Sequence, residues 1–254
     1  MSDALFDDEW LQALDATDQS RVDQLRDPVQ LAVARTFGPF NDVPDSPFYS
    51  AEELSPRQTW EEIAERVGLA AVIAVTHGAA QRIITVDAIR RLHEIVFVTT
   101  FPEHAGRLRQ QKEEAEYGIV LGTAEQPILK SERATAGTRV VRRLEQACRE
   151  FNDAIAKQKR LDTIALEDLV LTAVRLYAKV LSIHPFLDGN GRTAFTVLQY
   201  ALVRGGLSSV AMDDFDAHQR ALGAALRSDG KQSYVPLQAL IADKLIKTRF
   251  PEDD

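Results

Sequence analysis

Cysteine is almost missing: Cys148 stands alone among 254 residues, which rules out a disulfide within the chain and leads us to expect a reducing, cytoplasmic compartment. An excess of positive charge is missing too. Against 30 Lys and Arg stand 38 Asp and Glu, a formal net charge of −8, the wrong sign for a surface that gathers nucleic acid through its phosphates. Long apolar runs are absent; the longest, Val67–Thr76, is too short to cross a bilayer. The opening MSDALFDDEW is acidic, with no basic stretch leading into an apolar one, so it does not read as a secretion signal. Neither a nucleic acid nor a membrane is expected as a partner. Internal repeats and low-complexity segments are also lacking.

Helical periodicity fills most of what is there. Two amphipathic helices are expected at 5–16 and 20–37, followed by a connector in which Pro39, Pro44, Pro47 and Pro56 fall close together. Residues 1–56 therefore read as a helical extension and connector, and 57–254 as the main domain. Pro56 suits the first turn of a helix running to about Gln81. Thr85 is placed to cap the next helix, 86–98, in which Ile89, Leu92 and Val96 mark a buried face. Further helices are expected at 135–157, 166–183, 192–204, 213–227 and 231–248. The one convincing strand pattern is Tyr117 to Leu129, where apolar, β-branched residues flank Gly122-Thr-Ala-Glu-Gln-Pro127 and suggest a hairpin. The fold class read from this pattern is mainly α, a helical bundle with one β-hairpin.

The chemistry concentrates in His184-Pro-Phe-Leu-Asp-Gly-Asn-Gly-Arg192, between two expected helices. Gly189, Asn190 and Gly191 form a tight turn whose backbone N–H groups are accessible to an anion, and the helix starting there turns its positive end to the same place. Arg192 lies in the first turn and can add a charge-assisted phosphate contact. Asp188 suits Mg²⁺, which takes a carboxylate together with phosphate oxygens. His184 is a candidate base, and Phe186 and Leu187 are expected to anchor the loop in the core. Any one of these features alone is usually structural. Together, by average residue usage, they arise by chance in a chain this long only about a few times in ten million.

This string resembles the signature of the Fic family, HPFx(D/E)GNGRxxR, without a break from His184 to Arg192. The stretch Ile89–Arg109, ending in Gly106-x-x-Arg109, is similar to the part that precedes the flap in that family, and the resemblance spans about 85–205. It implies the Fic fold, with the hairpin as a flap beside the active-site loop. Residues Tyr117, Gly118, Ile119, Val120 and Leu121 would bind a target peptide there by strand addition. It further implies that His184 deprotonates a Ser, Thr or Tyr hydroxyl of a target protein. Asp188 would hold Mg²⁺ against the α- and β-phosphates of ATP or a related NTP. Gly189, Asn190 and Gly191 would cradle the α-phosphate, and Arg192 would steady the pyrophosphate. The activity so implied is Mg²⁺-dependent protein nucleotidyl transfer of the AMPylation type, as in a toxin.

Two departures keep alternatives open. Where the signature has a second arginine, this chain has Phe195, which implies weak ATP use, another donor, or lost catalysis. Relatives of the Doc type also lack that arginine and some transfer phosphoryl groups, but they carry Lys at the position of Gly191. A Doc-like phosphotransferase and a nucleotide-binding regulator without turnover therefore stand as alternatives. No Glu in the chain is followed by Gly or Asn, so the inhibitory Glu-(Gly/Asn) motif of many relatives is absent, and control by a separate antitoxin-like protein is expected. Arg109, Lys130, Arg133, Arg139, Arg142 and Arg143 are candidate compensating cations, each read by default as a solvated surface charge. His93, on an apolar face, reads as a core or boundary histidine, and Cys148 as unreactive. His77, His93, His104 and His218 lack the spacing of a zinc site.

Overall fold

In a computed structural model, the structure describes residues 56–110, 120–122, 127–130, 137–158, 166–212, 214–226 and 233–249. The two helices expected before Pro56 lie outside them. Seven α-helices are present among the described residues: α1 (Pro56–Ala79), α2 (Val86–Phe97), α3 (Val140–Gln158), α4 (Leu166–Ile183), α5 (Asn190–Arg204), α6 (Phe215–Leu226) and α7 (Val235–Arg249). A 3₁₀ turn, Gly137–Arg139, leads into α3. Two short strands, β1 (Val120–Gly122) and β2 (Pro127–Lys130), pair antiparallel with Val120 opposite Lys130 and Leu121 opposite Leu129. This ribbon is shorter than the expected 117–129 hairpin, and Tyr117, Gly118 and Ile119 lie outside the described residues.

The helix boundaries follow local chemistry. Pro56 opens α1, where its missing N–H costs nothing. Thr85, in extended conformation, caps α2 by accepting the Ala88 N–H at 3.1 Å. One face of α2 is fully buried through Ile89, Leu92 and Val96. The helix α5 begins at Asn190, two residues before the expected start, because Gly189 at φ 71° supplies its N-cap.

The central element is α5, which packs on α1, α2 and α4. Every residue from Thr193 to Arg204 is buried. The close crossing of α1 and α5 depends on Gly78, where an added Cβ would lie 2.8 Å from the Tyr200 carbonyl oxygen. Beyond Gly78 the chain is fastened back onto α5: the Tyr200 hydroxyl donates to the Arg82 carbonyl at 2.8 Å, and Arg204 donates to the Gln81 side chain. This hub fixes where the N-terminus of α5 points, and with it the loop between α4 and α5. No helix among the described residues is long and apolar enough to cross a membrane.

Candidate active site

The loop from His184 to Gly189 is held from three sides. From within, the Asn190 side chain accepts the Phe186 N–H and donates to the Phe186 carbonyl, both at 2.9 Å. The carboxamide thereby pairs with one peptide unit as a neighbouring strand would. Phe186 itself is fully buried, as its anchoring role requires.

From the second side, α2 contributes His93. Its Nε2 donates to the Asp188 carbonyl at 3.1 Å, and its Nδ1 accepts the Gly106 N–H at 2.9 Å. The ring stacks on Phe186 with centroids 3.8 Å apart and lies 4.7 Å from the Phe97 ring. Burial, opposed by the Asp188 backbone and carboxylate, holds the His93 pKa down at about 3, so the ring is neutral with one donor and one acceptor. This bears out the reading of a satisfied core histidine and adds a role that reading missed: the ring ties Asp188 to Gly106. A polar residue on an otherwise apolar helix face was the available signal.

The third side is Arg109, and here the expectation needs correction. Arg109 is not a solvated surface charge; it is 3% exposed. Its Nη2 donates to the Ile183 carbonyl at 2.9 Å, its Nε to the His184 carbonyl, and its backbone N–H to the Pro185 carbonyl at 2.9 Å. The last carbonyls of α4 have no partner within their own helix, and a cation at that negative pole satisfies them. Arg139, Arg142 and Arg143 are exposed as expected, while Lys130 and Arg133 lie outside the described side chains.

At the end of α4, His184 is 6% exposed and adopts φ 52°, a left-handed conformation uncommon for a side-chain-bearing residue. Its pKa is held down at about 4, first by burial and then by Arg109, against smaller opposing effects of Asp188 and the Leu181 carbonyl. The imidazole is thus neutral at cellular pH, the state a base requires. Asp188 is half-buried and its carboxylate accepts the Gly189 N–H.

The start of α5 completes the arrangement. The first intrahelical bond of the turn runs from Thr193 N–H to the Gly189 carbonyl, so Asn190 and Gly191 precede any acceptor in their own helix. A Cβ at Gly189 would fall 2.1 Å from a Phe97 ring carbon, so the fold itself demands glycine there. At Gly191 a Cβ would meet nothing within 4 Å, and φ is not positive. The guanidinium of Arg192 lies 5.4 Å from the Phe97 ring centroid, a cation–π contact that sets the arginine beside the same turn. Phe195, by contrast, is 2% exposed and points into the core.

One neutral imidazole, one carboxylate, one guanidinium and a glycine-lined helix N-terminus therefore meet in a single loop, an arrangement suited to moving a proton beside a bound phosphate. The carboxylate fits a Mg²⁺ shared with phosphate oxygens rather than an all-protein cage. Among the described residues no group of three or more His, Cys, Asp or Glu is set to hold a metal unaided.

Comparison with known proteins bears on the fold that carries this loop. The model of the Fic/DOC family matches residues 83–202. A Fic domain containing signaling protein from Bacteroides thetaiotaomicron superposes with a TM-score of 0.63 at 18% identity, over 96% of this chain and 92% of that one. Fic-1 (residues 134–508) from C. elegans superposes at 0.55 and 18% identity, over 96% and 68%. The N-terminal FIC domain of the VirB-translocated effector Bep8 from Bartonella sp. 1-1C superposes at 0.53 and 15% identity, over 81% and 93%. No curated protein matches the sequence. The helical fold around the loop is thus that of Fic proteins, and residues 83–202 of this chain form a domain of the Fic/DOC family.

Proposed function

We propose that the protein is a Mg²⁺-dependent protein nucleotidyltransferase, moving NMP from ATP or a related NTP to a Ser, Thr or Tyr hydroxyl of a target protein. The family includes transferases of NMP or phosphate groups, and the observation that carries the finer reading is Gly191. Glycine in a helix costs about 1 kcal/mol against alanine. Here no neighbour excludes a side chain and no unusual φ calls for glycine. Room left at a helix N-terminus supports close approach of a phosphate to the backbone.

In this reading His184 accepts the proton of the target hydroxyl, which attacks the α-phosphorus as pyrophosphate leaves. The proton passes from the hydroxyl oxygen to the imidazole, and the negative charge departs with pyrophosphate. The N–H groups at the start of α5 and Arg192 stabilise charge that builds in the transition state. Asp188 would hold Mg²⁺, which offsets charge on the phosphates. The 117–129 segment would serve as a flap, adding the target peptide to its edge. Restraint would come from a separate inhibitory protein rather than from residues 1–56. A truncation of 1–56 that raised transfer many-fold would refute that last point.

The test is incubation of the protein and a His184→Ala control with Mg²⁺, lysate, and ATP labelled at the α- or the γ-phosphate. Label from the α-position that is lost in the control is expected. Transfer from the γ-position alone would move the protein to the Doc-like phosphotransferases. No transfer from ATP or any other NTP would leave a nucleotide-binding regulator.

A further inference from the structure

His184 is doubly out of place in conformational terms. Its φ of 52° is left-handed, and it precedes Pro185, whose ring further restricts the backbone before it. Residues held in such conformations persist only where their surroundings determine them, and they gather at functional sites. The His184 N–H is held by the Val180 carbonyl of α4 at 3.0 Å, and the carbonyl side of the segment falls to Arg109. The three consecutive carbonyls of Ile183, His184 and Pro185 are all engaged by Arg109, two through its guanidinium and one through its N–H.

We propose that Arg109 is the positioning residue of the site: its buried guanidinium locks the 183–185 backbone and so sets the place and aim of the His184 imidazole. This rests on the reading of His184 as the base. Asn190 also braces the loop, but at Phe186, beyond Pro185, and His93 reaches it at the Phe186 ring and the Asp188 carbonyl. Neither touches the backbone that carries the imidazole. The charge of Arg109 acts in the same sense as its hydrogen bonds. Among the groups acting on His184, burial and Arg109 favour the neutral ring, while Asp188 and the Leu181 carbonyl oppose them. Burial lowers the Arg109 pKa only to about 10, so it remains a cation at cellular pH.

The experiment compares full-length wild type with Arg109→Lys and Arg109→Gln in three measurements: urea unfolding, transfer kinetics with ATP, and NMR titration of the His184 imidazole. A base displaced by about 1 Å loses on the order of 100-fold in rate. We therefore expect kcat to fall by about that factor in Arg109→Gln, with partial recovery in Arg109→Lys, while KM for ATP stays nearly constant. The His184 titration moves to higher pH in Arg109→Gln. Unchanged kcat in folded variants would overturn the proposal. So would a fall in kcat that merely follows lost stability, with the His184 titration unmoved. If Arg109→Gln does not fold, Arg109→Lys decides, since it keeps the charge but not the planar fork that engages two carbonyls together. If wild type transfers no label, the reading of His184 as base fails by itself. The His184 signals then decide the positioning role alone: unchanged shifts and titration in both variants would overturn it.

Discussion

At Gly189 an added Cβ would strike the Phe97 ring, and at Gly191, two residues on, it would meet empty space. The same substitution should therefore have opposite effects at the two positions. Gly189→Ala combines a positive φ with a clash against a buried ring, and it should cost roughly 2–5 kcal/mol of stability in urea unfolding. Gly191→Ala should raise stability by about 0.4–1 kcal/mol, since the unfolded chain loses freedom and nothing is crowded. It should also weaken nucleotide use, read as a raised KM for ATP. Unaltered KM in that variant would remove the main support for a phosphate at this turn. Phe195 is a third case. It stands where the family signature has arginine, yet it is buried in the core. Restoring arginine should bury an unpaired charge and cost about 3–5 kcal/mol rather than improve transfer. A well-folded Phe195→Arg with faster transfer would show instead that the position reaches the site.

Among the elements, three loops are each fastened by a side-chain amide that imitates a peptide group. Asn152 pairs with both backbone groups of Ile84 ahead of α2, Asn190 with those of Phe186 ahead of α5, and Gln199 with those of Val210 after it. Removing one leaves a buried donor and a buried acceptor unmet, at about 1–3 kcal/mol each. Asn190→Ala should accordingly lower the urea midpoint and speed exchange of the Phe186 amide proton. Unchanged exchange would mean that the loop is held without it. None of these pairings was legible in the sequence. The helices of the described residues were, because periodicity, the Thr85 cap and the Pro56 start are local signals. So was the His184–Arg192 motif, whose residues are contiguous. The contacts of Arg109 and His93 were missed because their partners lie 75 and 95 residues away in sequence, and a single sequence does not reveal such pairings.

For the whole molecule, acid is the expected weakness. Burial holds His93 and His184 at pKa values of about 3 and 4 in the folded protein, against about 6.5 when unfolded. The unfolded chain then binds more protons in between. Their contribution is complete above about pH 6.5, falls as pH drops from there, and levels off below about 4 for His184 and about 3 for His93, each losing at most about 1.4 kcal/mol per pH unit. Urea midpoints at pH 7, 6 and 5 should decline in that order, and His93→Gln should flatten the decline. A midpoint independent of pH would mean that these rings are not neutral by burial.

The span of the Arg109 and His93 contacts also bears on the order of synthesis. The segment 93–109 leaves the ribosome well before 183–192, and each is without its partners until both are present. A nascent or prematurely ended chain thus has no braced histidine, whatever nucleotide surrounds it. For a protein whose proposed chemistry modifies other proteins, the connectivity delays that chemistry until the chain has been made through α5 and folded.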